Sequence, residues 1–142
     1  MAIDFFTAMD VSASGLGAER TRMNVAASNL ANAQTTRTAG GGPYRRRDVV
    51  MRSVAEPGAT GAAASGVQGV EVAQIAQDAA PPRLEYDPGH PDANAQGYVA
   101  YPNVNPVEEM VDMITASRAY EAGVTALSSA VTMAERALSI GK

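Results

Sequence analysis

The last third of the chain carries an apolar series that no β-strand can use. Val107, Met110, Ile114, Ser117, Tyr120, Val124, Leu127, Val131, Ala134 and Leu138 succeed one another at steps of three or four residues, with one slip between Ser117 and Tyr120. That is the period of a helix face. A helix start is also encoded: Asn105 is a capping residue, Pro106 suits the first helical position, and Glu108 stands three residues after the cap. Gly141 can close the helix. About 33 residues at 1.5 Å each give a helix roughly 50 Å long. Residues 3–33 repeat the pattern with Phe6, Met9, Ala13, Leu16, Met23, Ala27 and Leu30, Arg20 standing where the series is interrupted. Gly15 and Gly17 weaken this helix by about 1 kcal/mol each relative to Ala, and the polar run 32–38 ends it. The two helices, at opposite ends of the chain, can pair as a coiled coil.

Between them, residues 39–105 are broken again and again by turn residues. Gly40-Gly41-Gly42-Pro43 opens the segment, and Asp87-Pro88-Gly89-His90-Pro91 marks a second turn. Strands are expected over 44–53, 67–75, 83–86 and 98–101. The Gly/Ala-rich run 56–66 reads as a flexible loop. The expected fold class is therefore α+β: long N- and C-terminal helices with a small β-rich insert. Its parts are an axial helix over 1–38, a β-rich module over 39–105 and a second axial helix over 106–142.

Composition limits what these elements can bury. Of 142 residues, 28 are Ala and only 25 are Leu, Ile, Val or Phe, less than the fifth of the chain below which burial struggles to offset ordering entropy. The isolated chain should therefore be marginal, with mobile ends, and part of its burial should come from partners. A net charge of −4 does not favour nucleic acid or an anionic membrane. The absence of cysteine excludes disulfides and thiolate metal sites. No apolar run approaches the length needed to insert directly in a membrane. Phe5-Phe6 follow the start without a basic region or a long apolar one, so no cleavable signal peptide is expected.

Constellations that could carry chemistry are few. Asp87, His90 and Asp92 could form a hard-metal or hydrolytic site in a secreted β-domain protein, but the prolines and glycine among them favour a tight turn in which Asp bonds its own backbone. Tyr44-Arg45-Arg46-Arg47 could hold phosphate or stack on bases, yet Asp48 follows at once, and a solvated or subunit-contacting strand edge is the better reading. Glu108 and Glu109 are simply explained as first-turn residues favoured by the helix dipole. No phosphate loop or nucleophile elbow is present. No catalytic, cofactor-binding or metal-binding residue is assigned, and no enzyme is expected.

One stretch supports a family. Residues 14–36, and within them Asn24-Val25-Ala26-Ala27-Ser28-Asn29-Leu30-Ala31-Asn32, resemble the N-terminal signature of the flagellar rod and hook axial proteins. Gly42-Pro43-Tyr44-Arg45-Arg46, Tyr86-Asp87-Pro88-Gly89-His90-Pro91 and Gly97-Tyr98-Val99 narrow the resemblance to the proximal-rod branch. Ala116-Ser117-Arg118-Ala119-Tyr120-Glu121-Ala122 is similar to the family's C-terminal helix. The resemblance implies a structural subunit of the bacterial flagellar basal body, whose terminal helices build a hollow drive shaft spanning the periplasm and transmitting torque. It implies passage through the flagellar type III export apparatus. The partners it implies are other copies of the chain, the rod proteins FlgB, FlgF and FlgG, and the FliE adaptor.

On this reading the assembly seam comprises Leu16, Met23, Asn24, Asn29, Leu30 and Asn32 of the first helix and Met110, Ile114, Tyr120, Val124, Leu127, Val131 and Leu138 of the second. In a densely packed tube the asparagines can bridge helices through their amides, although Asn29 and Asn32 could instead terminate the helix. Phe5 and Phe6 are either an export contact or an anchor for the first helix.

Overall fold

A computed structural model of the chain describes residues 2–55 and 68–140; the expected loop over 56–66, Val67 and the proposed closing residue Gly141 lie outside them. The elements run α1 (Ala2–Ala31), β1 (Arg47–Ala55), β2 (Gln68–Gln77), β3 (Arg83–Tyr86), β4 (Tyr98–Tyr101) and α2 (Pro106–Ile140). The fold is α+β, two long terminal helices around a small β insert. At 30 and 35 residues the helices are about 45 and 52 Å long.

The caps explain where the helices stop and start. The Asn105 side chain accepts a hydrogen bond from the Val107 amide at 3.1 Å, and its carbonyl accepts the Glu109 amide at 3.1 Å, the geometry of an N-cap. At the end of α1 the Asn32 side-chain amide turns back to the Ser28 carbonyl at 2.9 Å, and its oxygen accepts the Thr35 hydroxyl at 3.1 Å. That satisfies groups the last turn would leave open.

α1 and α2 pack side by side and antiparallel: Leu16 meets Gly123, Arg22 Nη2 lies 2.8 Å from Asp112 Oδ1, and Asn29 reaches Glu109. β1 and β2 form an antiparallel ribbon along α1, tied to it where the Val70 amide donates to Ser14 Oγ at 3.0 Å. Ala73 is the extra residue of a bulge, since Val50 pairs with Gln74 but Met51 with Val72. β3 and β4 make a second, separate antiparallel hairpin. The first strand begins three residues later than the sequence pattern predicts. Gly41 and Gly42 adopt left-handed φ of 80° and 76°, and the turn they make brings the Tyr44 amide back to the Thr35 carbonyl at 3.0 Å, so residues 44–46 leave the ladder.

Very little is wholly covered. Among the described residues the buried apolar side chains are Ala18, Ala26, Tyr44, Val99, Pro102, Val104 and Ala116. Among the largest fully buried side chains, two are polar, Glu109 and Asn29. The chain exposes 9574 Å², against about 6,900 Å² for a compact monomer of its 14.6 kDa mass.

Candidate assembly surface

Three elements meet at one polar junction. Asn29, 1% exposed near the end of α1, uses its whole amide there. Its Nδ2 donates to the Arg47 carbonyl at 2.8 Å and to Glu109 Oε2 at 2.9 Å, while its Oδ1 accepts from the Arg47 amide and the Tyr44 hydroxyl, both at 2.9 Å. The side chain thus reads the first residue of β1 as a neighbouring strand would. Glu109, 2% exposed in the first turn of α2, receives the Arg46 Nε at 2.6 Å on its other oxygen. Burial lowers the guanidinium's pKa, but the bond and charge of Glu109, with Asp48 and Asp78 behind them, outweigh this and hold Arg46 above its ordinary value. A buried charge needs such pairing.

The junction corrects two sequence readings. Arg46 is not a solvated strand-edge residue, and Glu109 does more than favour the helix dipole: it is the internal counter-ion of Arg46. Of the other two arginines, Arg45 is exposed and Arg47 places its guanidinium 5.7 Å from the centre of the Tyr44 ring.

From the junction the helices run together along a seam whose α2 side is Glu109, Met113, Ala116, Tyr120, Gly123, Leu127, Ala130 and Ala134, all buried or half-buried and spaced alternately by four and three residues. The register within the chain therefore differs from the expected apolar series. Tyr120 and Leu127 lie in this seam, and Val131 is half-buried beside it. Val107 (62% exposed), Met110, Ile114, Val124 and Leu138 (76% exposed) lie outside it. The reason is the closeness of the helices. At Gly123 a Cβ would stand 2.8 Å from Leu16 Cδ2, so the closest line of contact takes Gly and Ala, flanked by Met113, Tyr120 and Leu127, while Val107, Met110, Ile114, Val124 and Leu138 face outward. On α1, Leu16, Met23 and Leu30 are half-buried, Asn29 is buried, Asn32 is half-buried in its cap and Asn24 is exposed. Phe5 is half-buried and Phe6 exposed, their rings edge-to-face at 5.8 Å.

Val107, Met110 and Ile114, then Val124, Val131 and Leu138 at seven-residue steps, give α2 a second apolar flank beside the one that faces α1. Packing against α1 covers one of these flanks and leaves the other largely exposed.

In the Asp87–His90–Asp92 cluster, Asp87 and His90 are engaged locally. Asp87 Oδ1 accepts the Gly89 amide at 3.1 Å and His90 Nδ1 accepts the Asp92 amide at 3.1 Å. Asp92 holds the segment after α1, taking the Thr36 hydroxyl at 2.8 Å and the Arg37 Nε at 3.1 Å. Sequence reasoning missed this role, along with those of Arg46, Glu109 and Gly123. All four depend on partners 55 or more residues away, and only for Glu109 and Gly123, a charged and a small residue beside the apolar series, did the sequence hold any signal.

Two family models match the chain. Residues 9–37 match the flagella basal body rod protein family, and residues 95–140 match the C-terminal family of flagellar basal body rod FlgEFG proteins; the first stretch contains Asn29 and the second Glu109. The flagellar basal-body rod protein FlgC of Bacillus subtilis is 45% identical, with 96% of this chain and 98% of that protein covered. Its counterpart in Borreliella burgdorferi is 46% identical over 95% and 96% of the two chains, and that of Salmonella typhimurium 44% identical over 94% and 95%.

Proposed function

The chain belongs to the FlgC family of flagellar basal-body rod proteins, and from that membership we propose that it builds the proximal part of the rod. It is a structural subunit of the basal body. In the proposed role its terminal helices line a hollow shaft that carries torque across the periplasm. Its neighbours there are further copies of itself, FlgB, FlgF, FlgG and the FliE adaptor, and it arrives through the flagellar type III export apparatus. It works as a scaffold, with no catalytic step, cofactor or nucleic-acid ligand.

The observation that carries this reading is the second apolar flank of α2. Folding within the chain uses one flank against α1 and leaves Val107, Met110, Ile114, Val124 and Leu138 uncovered. Those side chains gain burial only when other subunits arrive, at about 25 cal/mol per Å² of apolar area covered. Because they are already exposed, a charge placed there leaves the isolated fold intact and acts only on assembly.

The test is Met110→Asp/Ile114→Asp in cells lacking their own copy. The variant should match the parent by circular dichroism and be exported, yet give no rods and no motility. Normal rods with the double variant would refute the role of this flank in assembly.

A further inference from the structure

Arg20 interrupts the apolar series of α1, and the structure shows where it stands. It is exposed and without a carboxylate partner among the described residues, at the lip of a groove of about 210 Å³ lined by Ala13, Leu16, Gly17 and Tyr120. The groove is open at its floor: a Cβ built on Gly17 would meet nothing within 4 Å. An open apolar hole beside an unpaired cation calls for a ligand that offers an aliphatic side chain and a carboxylate a turn apart.

This chain itself carries that pair. On α2, Glu135 is exposed and unpaired among the described residues, with Val131 four residues before it and Leu138 three after it, so all three share a helix face. The pair cannot close within one chain. Since Gly123 lies opposite Leu16, Arg20 stands opposite about residue 119, and Glu135 is some 16 residues, or about 24 Å, further along the axis.

We propose that the Ala13–Tyr120 groove receives α2 of a second copy, with Leu138 seated over Gly17 and Glu135 paired to Arg20. The inference rests on the rod-subunit reading and adds to it one particular contact between copies. The contact is heterologous, groove to ridge, so it propagates rather than closing in a symmetric pair. Copies pointing the same way are then staggered along the axis by about 24 Å, the distance that brings residue 135 level with residue 20.

The absence of cysteine makes a direct test clean. Gly17→Cys/Leu138→Cys protein is expressed in cells lacking their own copy, basal bodies are purified and oxidised, and covalent dimers and higher species are counted. Abundant interchain disulfides are expected. Adding Arg20→Glu should lower their yield at least tenfold, and adding Glu135→Arg to that variant should restore it. Separately, Gly17→Leu fills open space and favours the helix, so the variant should fold as the parent does yet be excluded from rods.

Chain present in basal bodies without cross-links overturns the contact and leaves the rod assignment standing, as does failure of the charge swap to restore cross-linking. Incorporation of Gly17→Leu at the parent's level does the same. Unmodified protein missing from the basal bodies of motile cells refutes the rod reading itself.

Discussion

Replacing Asn29 by aspartate changes one atom and reverses the polarity of half the junction. The oxygen that stands in for Nδ2 faces the Arg47 carbonyl and a Glu109 carboxylate oxygen at 2.8 and 2.9 Å with no proton to share, while the bonds from Tyr44 and the Arg47 amide survive. Two buried hydrogen bonds are lost, one of them to a charged group. Two acceptors are left unsatisfied and a second carboxylate arrives beside Glu109. Together these cost about 3–5 kcal/mol at neutral pH, comparable with the whole stability of a small domain. Asn29→Ala, which removes the clash as well as the bonds, should cost about 2–4 kcal/mol.

The pH dependence separates the two variants. A carboxyl facing a carboxylate has its folded pKa raised above the unfolded value of about 3.9. The extra penalty of aspartate is therefore absent below about pH 4 and grows as the pH rises from there toward the folded pKa. Urea denaturation followed by far-ultraviolet circular dichroism at pH 4 and pH 7 measures it. Aspartate should be worse than alanine at pH 7 and recover toward it at pH 4. An Asn29→Asp protein within 1 kcal/mol of the parent at pH 7 would refute the account of the junction.

Three further outcomes follow. Gly123→Ala should be nearly neutral, because the helix gains about 1 kcal/mol of propensity while the mobile end of Leu16 gives way; Gly123→Leu should prise the helices apart by more than 2 kcal/mol, read as a lower urea midpoint, and Leu16→Ala in the same chain should recover part of the loss. Limited proteolysis of the verified monomer should trim both ends but stop near the junction, leaving a fragment that retains Asn29 and Glu109; cleavage between them and the β insert would show that the junction does not hold in isolation. Phe5→Ser/Phe6→Ser protein should accumulate inside the cell while a co-expressed hook subunit is still secreted if these rings touch the export machinery, whereas wild-type secretion would leave them as packing residues.

The outline of this fold was legible in the sequence because its punctuation is local. Asn105, Pro106 and the acidic first turn mark the start of α2 without reference to anything distant, and the two short strands at 83–86 and 98–101 fall where the turn residues bracket them. The β1 boundary was not, because Tyr44 is claimed by Thr35 and Arg46 by Glu109, contacts that a pattern of neighbours does not contain. The register of the helix pair was misread for a related reason. Hydrophobicity follows large side chains, and here the tightest line of contact is marked by Ala116, Gly123 and Ala130, with a glutamate at its head. After the slip between Ser117 and Tyr120 the series alternates between the inner seam (Tyr120, Leu127, Ala134) and the outward flank (Val124, Val131, Leu138).

The seam and the junction differ in how they resist a shearing load. Where alanine and glycine line the contact, one helix can slide an ångström past the other and lose little, since dispersion contacts are many, weak and undirected. At Asn29, Arg46 and Glu109 the same displacement would stretch bonds of 2.6–2.9 Å beyond the range in which they hold. The molecule is therefore a bearing along most of its length and a weld at one end. Because that weld joins α1, α2 and the root of the β ribbon, force applied to the ribbon enters both helices at one point instead of bending the thin link between them.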